Sequence, residues 1–425
     1  MRQSAFHLLA DRRFLPLFVT QFLGAFNDNL FKNALVILIT YRLAALSPVR
    51  PEIMVTFAAG FFILPFFLFS ATAGQLADKL EKSRLIARIK LAEVLIMIFG
   101  VAGLWANDLW LLLGVLFCMG TQSAFFGPLK YGILPQHLTP GELVGGNGLI
   151  GAATFIAILL GTIVGGVMIL KPGGTTLVGA LLLGCSVAGY IASRFIPNAP
   201  AGDPSLQVRT NFLAATWALM RNSATPALLP ATLGISWFWF LGATHLAQFP
   251  NLAKLLLGAN EDVVVFFLVT FVVGIAAGAL ACNLVVRGRV STAHVPLMAM
   301  VLAVVSVDLW FALDGVRPGG VLLDLPAFLA QPVAWRLTVD LLVLAAAGGL
   351  YVVPLYALLQ DRATPDRRAR TIAALNVMNA AFMVASAVGG MAAFAAGLGV
   401  AEVIAGAGVL SVVPAVYLKL RLRRE

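Results

Sequence analysis

Gly74-Gln75-Leu76-Ala77-Asp78-Lys79-Leu80-Glu81-Lys82-Ser83-Arg84 is a polar break between two long apolar runs. It begins on a glycine, carries an aspartate at its centre and ends in basic residues. A degraded copy, Gly278-Ala279-Leu280-Ala281-Cys282, follows the eighth apolar run, with Cys282 where Asp78 stands in the first. The recurrence points to a chain built in two halves.

The surrounding composition demands a membrane. Hydrophobic residues make up 60% of the chain, charged residues 11%, and mean hydropathy is +0.94, whereas soluble domains are about 25% charged. A span needs roughly 20 mostly apolar residues. The sequence predicts spans over 14–41, 53–74, 85–106, 109–134, 147–169, 176–197, 228–257, 263–286, 293–313, 336–360, 370–397 and 400–420. The expected class is an all-α polytopic membrane protein. Arg2, Arg12 and Arg13 lead into a first run too long for a signal-peptide core, so that span is expected to be retained.

Basic residues set the orientation. With a cytoplasmic N-terminus, the outer side carries only Arg42, Arg50, Lys171, Lys254, Arg317 and Arg336, and Lys32 lies within the first span. The rest of the 29 Lys and Arg fall on the inner side, among them Lys79, Lys82, Arg84, Arg88, Lys90, Arg362, Arg367, Arg368, Arg370, Lys419, Arg421, Arg423 and Arg424. That asymmetry places both termini in the cytoplasm. The net charge of +10 therefore reflects topology and anionic headgroups, and no nucleic-acid partner is expected. Cys118, Cys185 and Cys282 show no paired spacing, so neither a disulfide nor a metal site is expected.

Residues 198–226 form the longest polar connection and divide the chain into halves 1–197 and 227–425. Within the connection, Phe212, Leu213, Thr216, Trp217 and Met220 recur at helical spacing, which predicts an amphipathic helix on the inner surface. Pro128-Leu129-Lys130-Tyr131 in span four matches Pro354-Leu355-Tyr356 in span ten, and Val164-Gly165-Gly166 matches Val388-Gly389-Gly390 in span eleven. Alongside these matches, the 74–84 stretch resembles the signature loop of the major facilitator superfamily. The resemblance implies twelve transmembrane helices in two pseudo-symmetric six-helix halves, with a substrate site at their interface.

Polar residues inside spans point to function, because a charge at mid-bilayer costs roughly 2.5–3.5 kcal/mol on insertion scales. Span one holds Asn27-Asp28-Asn29, Lys32 and Asn33. At about 1.5 Å per residue, Asp28 lies roughly 21 Å along the helix from Phe14. Asp28 and Lys32, four apart, share a face. Two readings stand: a structural ion pair, or a carboxylate that binds a coupling cation (H+ or Na+) or a cationic headgroup with Asn27 and Asn29 beside it. Lys130-Tyr131 either snorkels or attracts a phosphate as a point charge. Glu93 reads as a gating partner for a basic loop residue. His245 and Gln248 share a face, and His245 is either a hydrogen-bonded core residue or part of a proton relay. Asn376 and Asn379, with Tyr351 and Tyr356, line a cavity or hold helices together.

In the opening stretch, Asp78 either caps the next element or meets the positive end of a facing helix. Lys82 and Arg84 would supply ion pairs that form in one alternating-access state and break in the other. Gly74 and Asp78 at that spacing exceed what a simple basic anchor needs.

Longer stretches narrow the resemblance. Gln21-Phe22-Leu23-Gly24-Ala25-Phe26-Asn27-Asp28-Asn29, Gly127-Pro128-Leu129-Lys130-Tyr131-Gly132-Ile133-Leu134, Asn147-Gly148-Leu149-Ile150 with Ala157-Ile158-Leu159-Leu160-Gly161, and Val352-Val353-Pro354-Leu355-Tyr356-Ala357-Leu358-Leu359-Gln360 resemble the lysophospholipid transporter (LplT) family. That likeness implies a flippase moving lysophospholipids, chiefly lysophosphatidylethanolamine, to the inner leaflet of a bacterial inner membrane, where a partner acyltransferase restores the second acyl chain. It also implies a membrane-embedded acid in span one, which Asp28 matches. Some members are fused to an acyltransferase bearing His-x4-Asp; His7 to Asp11 is His-x3-Asp, so no catalytic residue or resident cofactor is expected. Two rivals share parts of the pattern. A proton-coupled drug antiporter would also use Asp28, but Gly161-Thr162-Ile163-Val164-Gly165-Gly166 lacks the proline of the antiporter motif. A non-transporting scaffold for an acyltransferase would gain nothing from a buried Asp28.

Overall fold

The computed structural model describes residues 5–39, 51–209, 211–223, 225–287, 289–314, 316 and 322–422. Arg2, Arg42, Arg50, Arg317, Arg423 and Arg424, and the expected end of the first span at 40–41, lie outside the described residues.

Helices dominate, as the apolar runs require. They are α1 (Leu15–Leu38), α2 (Pro51–Lys79), α3 (Lys82–Ala106), α4 (Leu109–His137), α5 (Pro140–Met168), α6 (Gly174–Ser193), α7 (Phe212–Ser223) and α8 (Leu229–Asn251). Then come α9 (Glu261–Val286), α10 (Val295–Leu313), α11 (Leu325–Leu329), α12 (Pro332–Arg362), α13 (Arg368–Ala395), α14 (Val400–Val409) and α15 (Val412–Leu422). Among the described residues nine helical stretches are long and apolar enough to cross a membrane, with α14 and α15 counted as one. The helices α1, α3 and α8, of 24, 25 and 23 residues, fill the remaining expected positions, their apolar windows diluted by polar residues. The protein is a multi-pass membrane protein.

Several expected boundaries shift. The opening stretch is no loop at first: α2 runs on through Lys79, so Gly74 and Asp78 are helical, and only Leu80 and Glu81 separate it from α3. The reason is capping. The Glu81 side chain accepts from Ser83 N at 3.0 Å and Arg84 N at 2.8 Å, which starts the next helix at once. The last span is broken, with Leu410 and Ser411 between α14 and α15. After Pro250, which brings no amide donor, α8 gives way to a π-helical turn at Leu252–Leu256. The helix over 212–223 is present, but its buried face is Ala215 and Leu219, packed on Ala71 of α2 and Ala373 and Ala374 of α13, while Trp217 is 73% exposed.

The chain forms two compact units. One comprises Met1–Thr139, Ala153–Thr225 and Ala363–Val377; the other comprises Pro140–Ala152, Pro226–Arg362 and Met378–Glu425. The core of the first sets Leu30, Phe31, Ala34 and Leu35 of α1 against Met97 and Leu104 of α3, Leu112 to Met119 of α4, and Val178 and Leu182 of α6. In the second, α9 and α12 approach backbone to backbone: a Cβ on Gly349 would sit 2.5 Å from both Ile275 O and Ala279 N. The 198–209 segment is tied to the α2–α3 corner of the first unit. Ala199 N donates to Glu81 Oε1 at 2.8 Å, Lys82 N to Ala199 O at 2.9 Å, and Arg209 N to Gln75 Oε1 at 2.8 Å.

Candidate functional site

In the first unit, α1, α3 and α4 enclose a polar cluster in two layers. The inner layer is fully packed: Asn27 is 0%, Lys90 1%, Glu93 2% and Gln122 7% exposed. Lys90 Nζ lies 2.6 Å from Glu93 Oε2 and 4.5 Å from the centroid of the Phe126 ring. Asn27 Nδ2 donates to Glu93 Oε1 at 3.2 Å and Gln122 Nε2 to Glu93 Oε2 at 2.7 Å. Gly24 leaves the space that the Lys90 ammonium fills, since a Cβ there would collide with it.

The outer layer is half-buried and holds Asp28, Lys32, Ser123 and Lys130. Ser123 Oγ donates to Asp28 Oδ2 at 2.5 Å. Lys32 Nζ donates to Asn29 Oδ1 at 3.0 Å and stands 5.7 Å from the centroid of the Phe62 ring. Of the two readings, the Asp28–Lys32 ion pair is not formed among the described residues: Asp28 accepts from Ser123 on α4, and Lys32 donates to Asn29 within its own turn. Lys130 Nζ lies 4.7 Å from the ring centroid of Tyr131. Asn33 Nδ2 donates to Thr162 Oγ1 at 3.0 Å and fixes α1 on α5. Asn376 of α13 also belongs here, because a Cβ on Gly127 would meet its Nδ2 at 2.6 Å. That Nδ2, like Asn27 Oδ1, is buried without a hydrogen-bond partner among the described residues.

Two expectations for the cluster need correction. Glu93 pairs with no basic loop residue; it is the anion of the inner layer. Lys90, counted above as an inner-side loop charge, lies within α3 beside Glu93. Three residues apart on a helix share a face, and burial there forces pairing.

At the end of α2, Asp78 is fully buried and sits at the N-terminus of α13. It accepts from Ala369 N at 3.0 Å, Arg370 N at 3.1 Å and Arg370 Nε at 2.8 Å. Arg370 Nη2 also lies 3.6 Å from Asp203 Oδ2 of the connection. Gly74, one turn earlier, permits this approach: a Cβ there would stand 2.6 Å from Ala373 Cβ and 3.0 Å from Arg370 Cα. The cation of this lock is thus Arg370, in place of the expected Lys82 and Arg84. Lys82 turns inward to donate to Pro200 O at 3.2 Å, and Arg84, 82% exposed, reaches only Glu81 at 3.8 Å. At the equivalent place in the second unit Cys282 is buried.

The second unit places the remaining expected residues apart from charge. Asn379 Oδ1 accepts from Ser236 Oγ at 2.8 Å, and Tyr356 Oη from Trp239 Nε1 at 3.3 Å. Tyr351 is fully buried with its Oη unpartnered among the described residues. His245 Nδ1 is 2.8 Å from Leu241 O, which only accepts, so Nδ1 carries the proton and Nε2 takes Ser306 Oγ at 3.4 Å. Its surroundings are apolar, including Phe238, Phe271 and Leu344. That is a core histidine with both nitrogens committed.

Residues unread in the sequence complete the picture. Gln122 and Ser123 sit in a polar triplet, Thr121-Gln122-Ser123, inside an apolar run, a visible signal. Asn147 and Gln360 form a reciprocal amide pair, Nδ2 to Oε1 at 2.7 Å and Nε2 to Oδ1 at 2.9 Å, with both side chains buried. All three cysteines are free, and among the described residues no group of three or more His, Cys, Asp or Glu could hold a metal.

The helical fold and the charged cluster buried in its spans fit what the sequence resemblance implies, a membrane transporter of major facilitator type. Solved structures agree on the fold: a human organic anion transporter, TETRAN, has TM-score 0.71 at 15% identity, covering 95% of this chain and 99% of that one. The Escherichia coli fucose:proton symporter FucP gives 0.70 at 13% identity, covering 99% of each chain. No family model matches. Among curated proteins, the lysophospholipid transporter LplT of Serratia proteamaculans is 30% identical over 368 residues, covering 83% of this chain and 81% of its own length. That of Escherichia coli O157:H7 is 29% identical over 356 residues, covering 81% and 79%. The chain belongs to the lysophospholipid transporter LplT family.

Proposed function

We propose that this chain moves lysophospholipids, lysophosphatidylethanolamine among them, across the bacterial inner membrane to the cytoplasmic leaflet. There a partner acyltransferase restores the second acyl chain. The observation that carries the reading is the outer layer of the polar cluster. Asp28 of α1 and Lys130 of α4 are opposite charges of the same unit, are half-buried, and form no ion pair within 4 Å among the described residues. A zwitterionic headgroup needs one anionic and one cationic contact, and a cluster of three lysines and two acids leaves one positive charge for the phosphate. The relatives are lysophospholipid transporters, which supplies the substrate class.

The transport cycle rocks the halves 1–197 and 227–425 about the 198–226 connection, with the Asp78–Arg370 lock forming in one state and opening in the other. Asp28, which accepts from Ser123 Oγ, takes either the cationic part of the headgroup or a coupling cation, H+ or Na+. Asn29, Tyr131, Asn376 and Asn379 serve as polar lining. The chain performs no covalent chemistry, and both termini lie in the cytoplasm, as the distribution of Lys and Arg supports.

The test is inward movement of labelled lysophosphatidylethanolamine in liposomes holding the pure chain. Asp28→Asn, which keeps the side-chain shape, is expected to abolish movement while the protein stays folded in the membrane. Undiminished movement would remove Asp28 from the cycle, and no movement by either protein under imposed proton and sodium gradients would refute the substrate assignment.

A further inference from the structure

The amide nitrogen of Asn376, on α13, is a buried donor without an acceptor among the described residues. Its place is set by α4. A Cβ on Gly127 would stand 2.6 Å from Asn376 Nδ2 and 3.9 Å from Oδ1, so the nitrogen end is the one pressed against the glycine. Gly127 has no side chain to compete for that space, and the amide fits into it.

The register of α4 shows what lies beside the amide. Ser123, Gly127 and Lys130 are four and three residues apart, so they follow one another along one face of the helix. All three are half-buried, whereas Ala124, Phe126, Pro128 and Leu129 between them are buried. At one end of the row Ser123 Oγ holds Asp28 Oδ2 at 2.5 Å, and Lys130 stands at the other end. Asn376 Nδ2 meets the row at its middle, between the anion and the cation. All five residues belong to the first unit.

An amide nitrogen can only donate. Buried donors are nearly always paired, because leaving one unmade forfeits its hydration with no return. Of the two charged parts of a zwitterionic headgroup, the ammonium also only donates and cannot satisfy Nδ2. The phosphate oxygens only accept, and on the transport reading the phosphate goes to Lys130, one turn along α4 from Gly127.

We propose that Asn376 is a specificity-determining residue whose Nδ2 donates to the headgroup phosphate beside Lys130, with Gly127 as the positioning residue that leaves room for the amide. The inference rests on the transport reading above and sharpens it. A lysine attracts a phosphate as a point charge, whereas an amide donor held by packing fixes where the phosphate sits. Asn376 follows Arg370 by six residues, roughly 9 Å along α13 at about 1.5 Å per residue. A bound headgroup would therefore touch the helix whose first turn Asp78 holds.

The test is equilibrium binding of labelled lysophosphatidylethanolamine to the purified full chain in micelles, beside a monoacylglycerol of the same acyl chain. The second ligand keeps the ester and hydroxyl oxygens and lacks the phosphate. Asn376→Ala is expected to weaken lysophosphatidylethanolamine by about 10- to 100-fold, as loss of a hydrogen bond to a charged group does, and to leave monoacylglycerol as in the wild type. Gly127→Ala pushes the amide aside without removing it. It should weaken lysophosphatidylethanolamine by itself and add little in an Asn376→Ala background, and it carries the test if Asn376→Ala does not fold. Gly114→Ala, on the same helix where a Cβ meets nothing within 4 Å, should change neither ligand. Unchanged lysophosphatidylethanolamine binding in Asn376→Ala or Gly127→Ala, or equal losses for the two ligands, would overturn the proposal and leave the transport reading standing. A wild-type chain that bound no lysophosphatidylethanolamine would refute the transport reading and this contact with it.

Discussion

Glu93→Gln is the sharpest test of the inner polar layer. In the folded protein the Glu93 carboxylate has three partners: Lys90 Nζ at 2.6 Å, Gln122 Nε2 at 2.7 Å and Asn27 Nδ2 at 3.2 Å. At that ionic separation and an effective dielectric near 20, the attraction between Lys90 and Glu93 is about 6 kcal/mol. Desolvation of the two ions offsets much of it, so the pair as a whole contributes little net stability. Removing one partner is different. The substitution leaves Lys90, 1% exposed and 4.5 Å from the Phe126 ring, as a buried charge without its carboxylate, which costs about 3–5 kcal/mol. Asn27 and Gln122 keep an amide oxygen as acceptor and lose about 1 kcal/mol or less between them. Adding Lys90→Met removes the stranded charge with a side chain of similar reach, so the double variant should regain most of the loss. The assay is denaturant unfolding of the purified protein in micelles, run as a double-mutant cycle, with a coupling of about 2–4 kcal/mol expected. A Glu93→Gln protein within about 1 kcal/mol of wild type, or additive losses in the double variant, would refute the reasoning.

Asp78→Ala strips the acceptor from Ala369 N and Arg370 N. Loss of a charge-assisted cap at a helix N-terminus costs about 1–3 kcal/mol, so hydrogen exchange of those two amides should quicken about tenfold or more. Gly74→Val would drive a side chain into Ala373 Cβ and Arg370 Cα, whereas Gly166→Val meets nothing within 4 Å; folded yield by size-exclusion chromatography should fall for the first and hold for the second. Burial of Glu81 raises its pKa, but hydrogen bonds from Ser83, Ala199 N and Arg84 N outweigh that and hold it below the ordinary glutamate value. A depressed folded value means that its contribution is complete above about pH 4.3, the unfolded value, and is lost as pH falls through the lower folded one. Thermal stability of Glu81→Gln should consequently lose less than wild type on acidification, and parallel profiles would sink this account.

How much the sequence discloses depends on the range of the interaction. Spans follow from run length, so twelve positions were legible, and Asp28 stood out because a charge in an apolar run is costly wherever it points. The lock at Asp78 was legible only in kind. Its cation, Arg370, lies far along the chain, and no local pattern distinguishes it from Arg367 or Arg368. Gly74 to Lys79 read as loop because the residues are polar, yet backbone hydrogen bonding continues the helix until Glu81 starts the next. Lys90 was assigned to the inner surface on charge alone; only the packing of α1 and α4 shows that Glu93 shields it.

The two units meet one packing requirement with different chemistry. Gly74 of α2 lets α13 close on it, and Gly278 of α9 lets α12 do so, since a Cβ at Gly278 would stand 2.8 Å from Ala346 Cα. In the first unit that closeness delivers a carboxylate to two helix-terminal amides and a guanidinium. In the second, Cys282 cannot act so, and the neutral Asn147–Gln360 pair lies buried instead. Neutral amide bonds of this kind are worth about 1 kcal/mol each and are indifferent to salt. The Asp78 lock is charge-assisted, and Arg370 retains 20% exposure, so counterions and anionic headgroups compete for its cation. Only one of the two fastenings can therefore be tuned by charge, and it belongs to the unit that also holds Asp28 and Lys130.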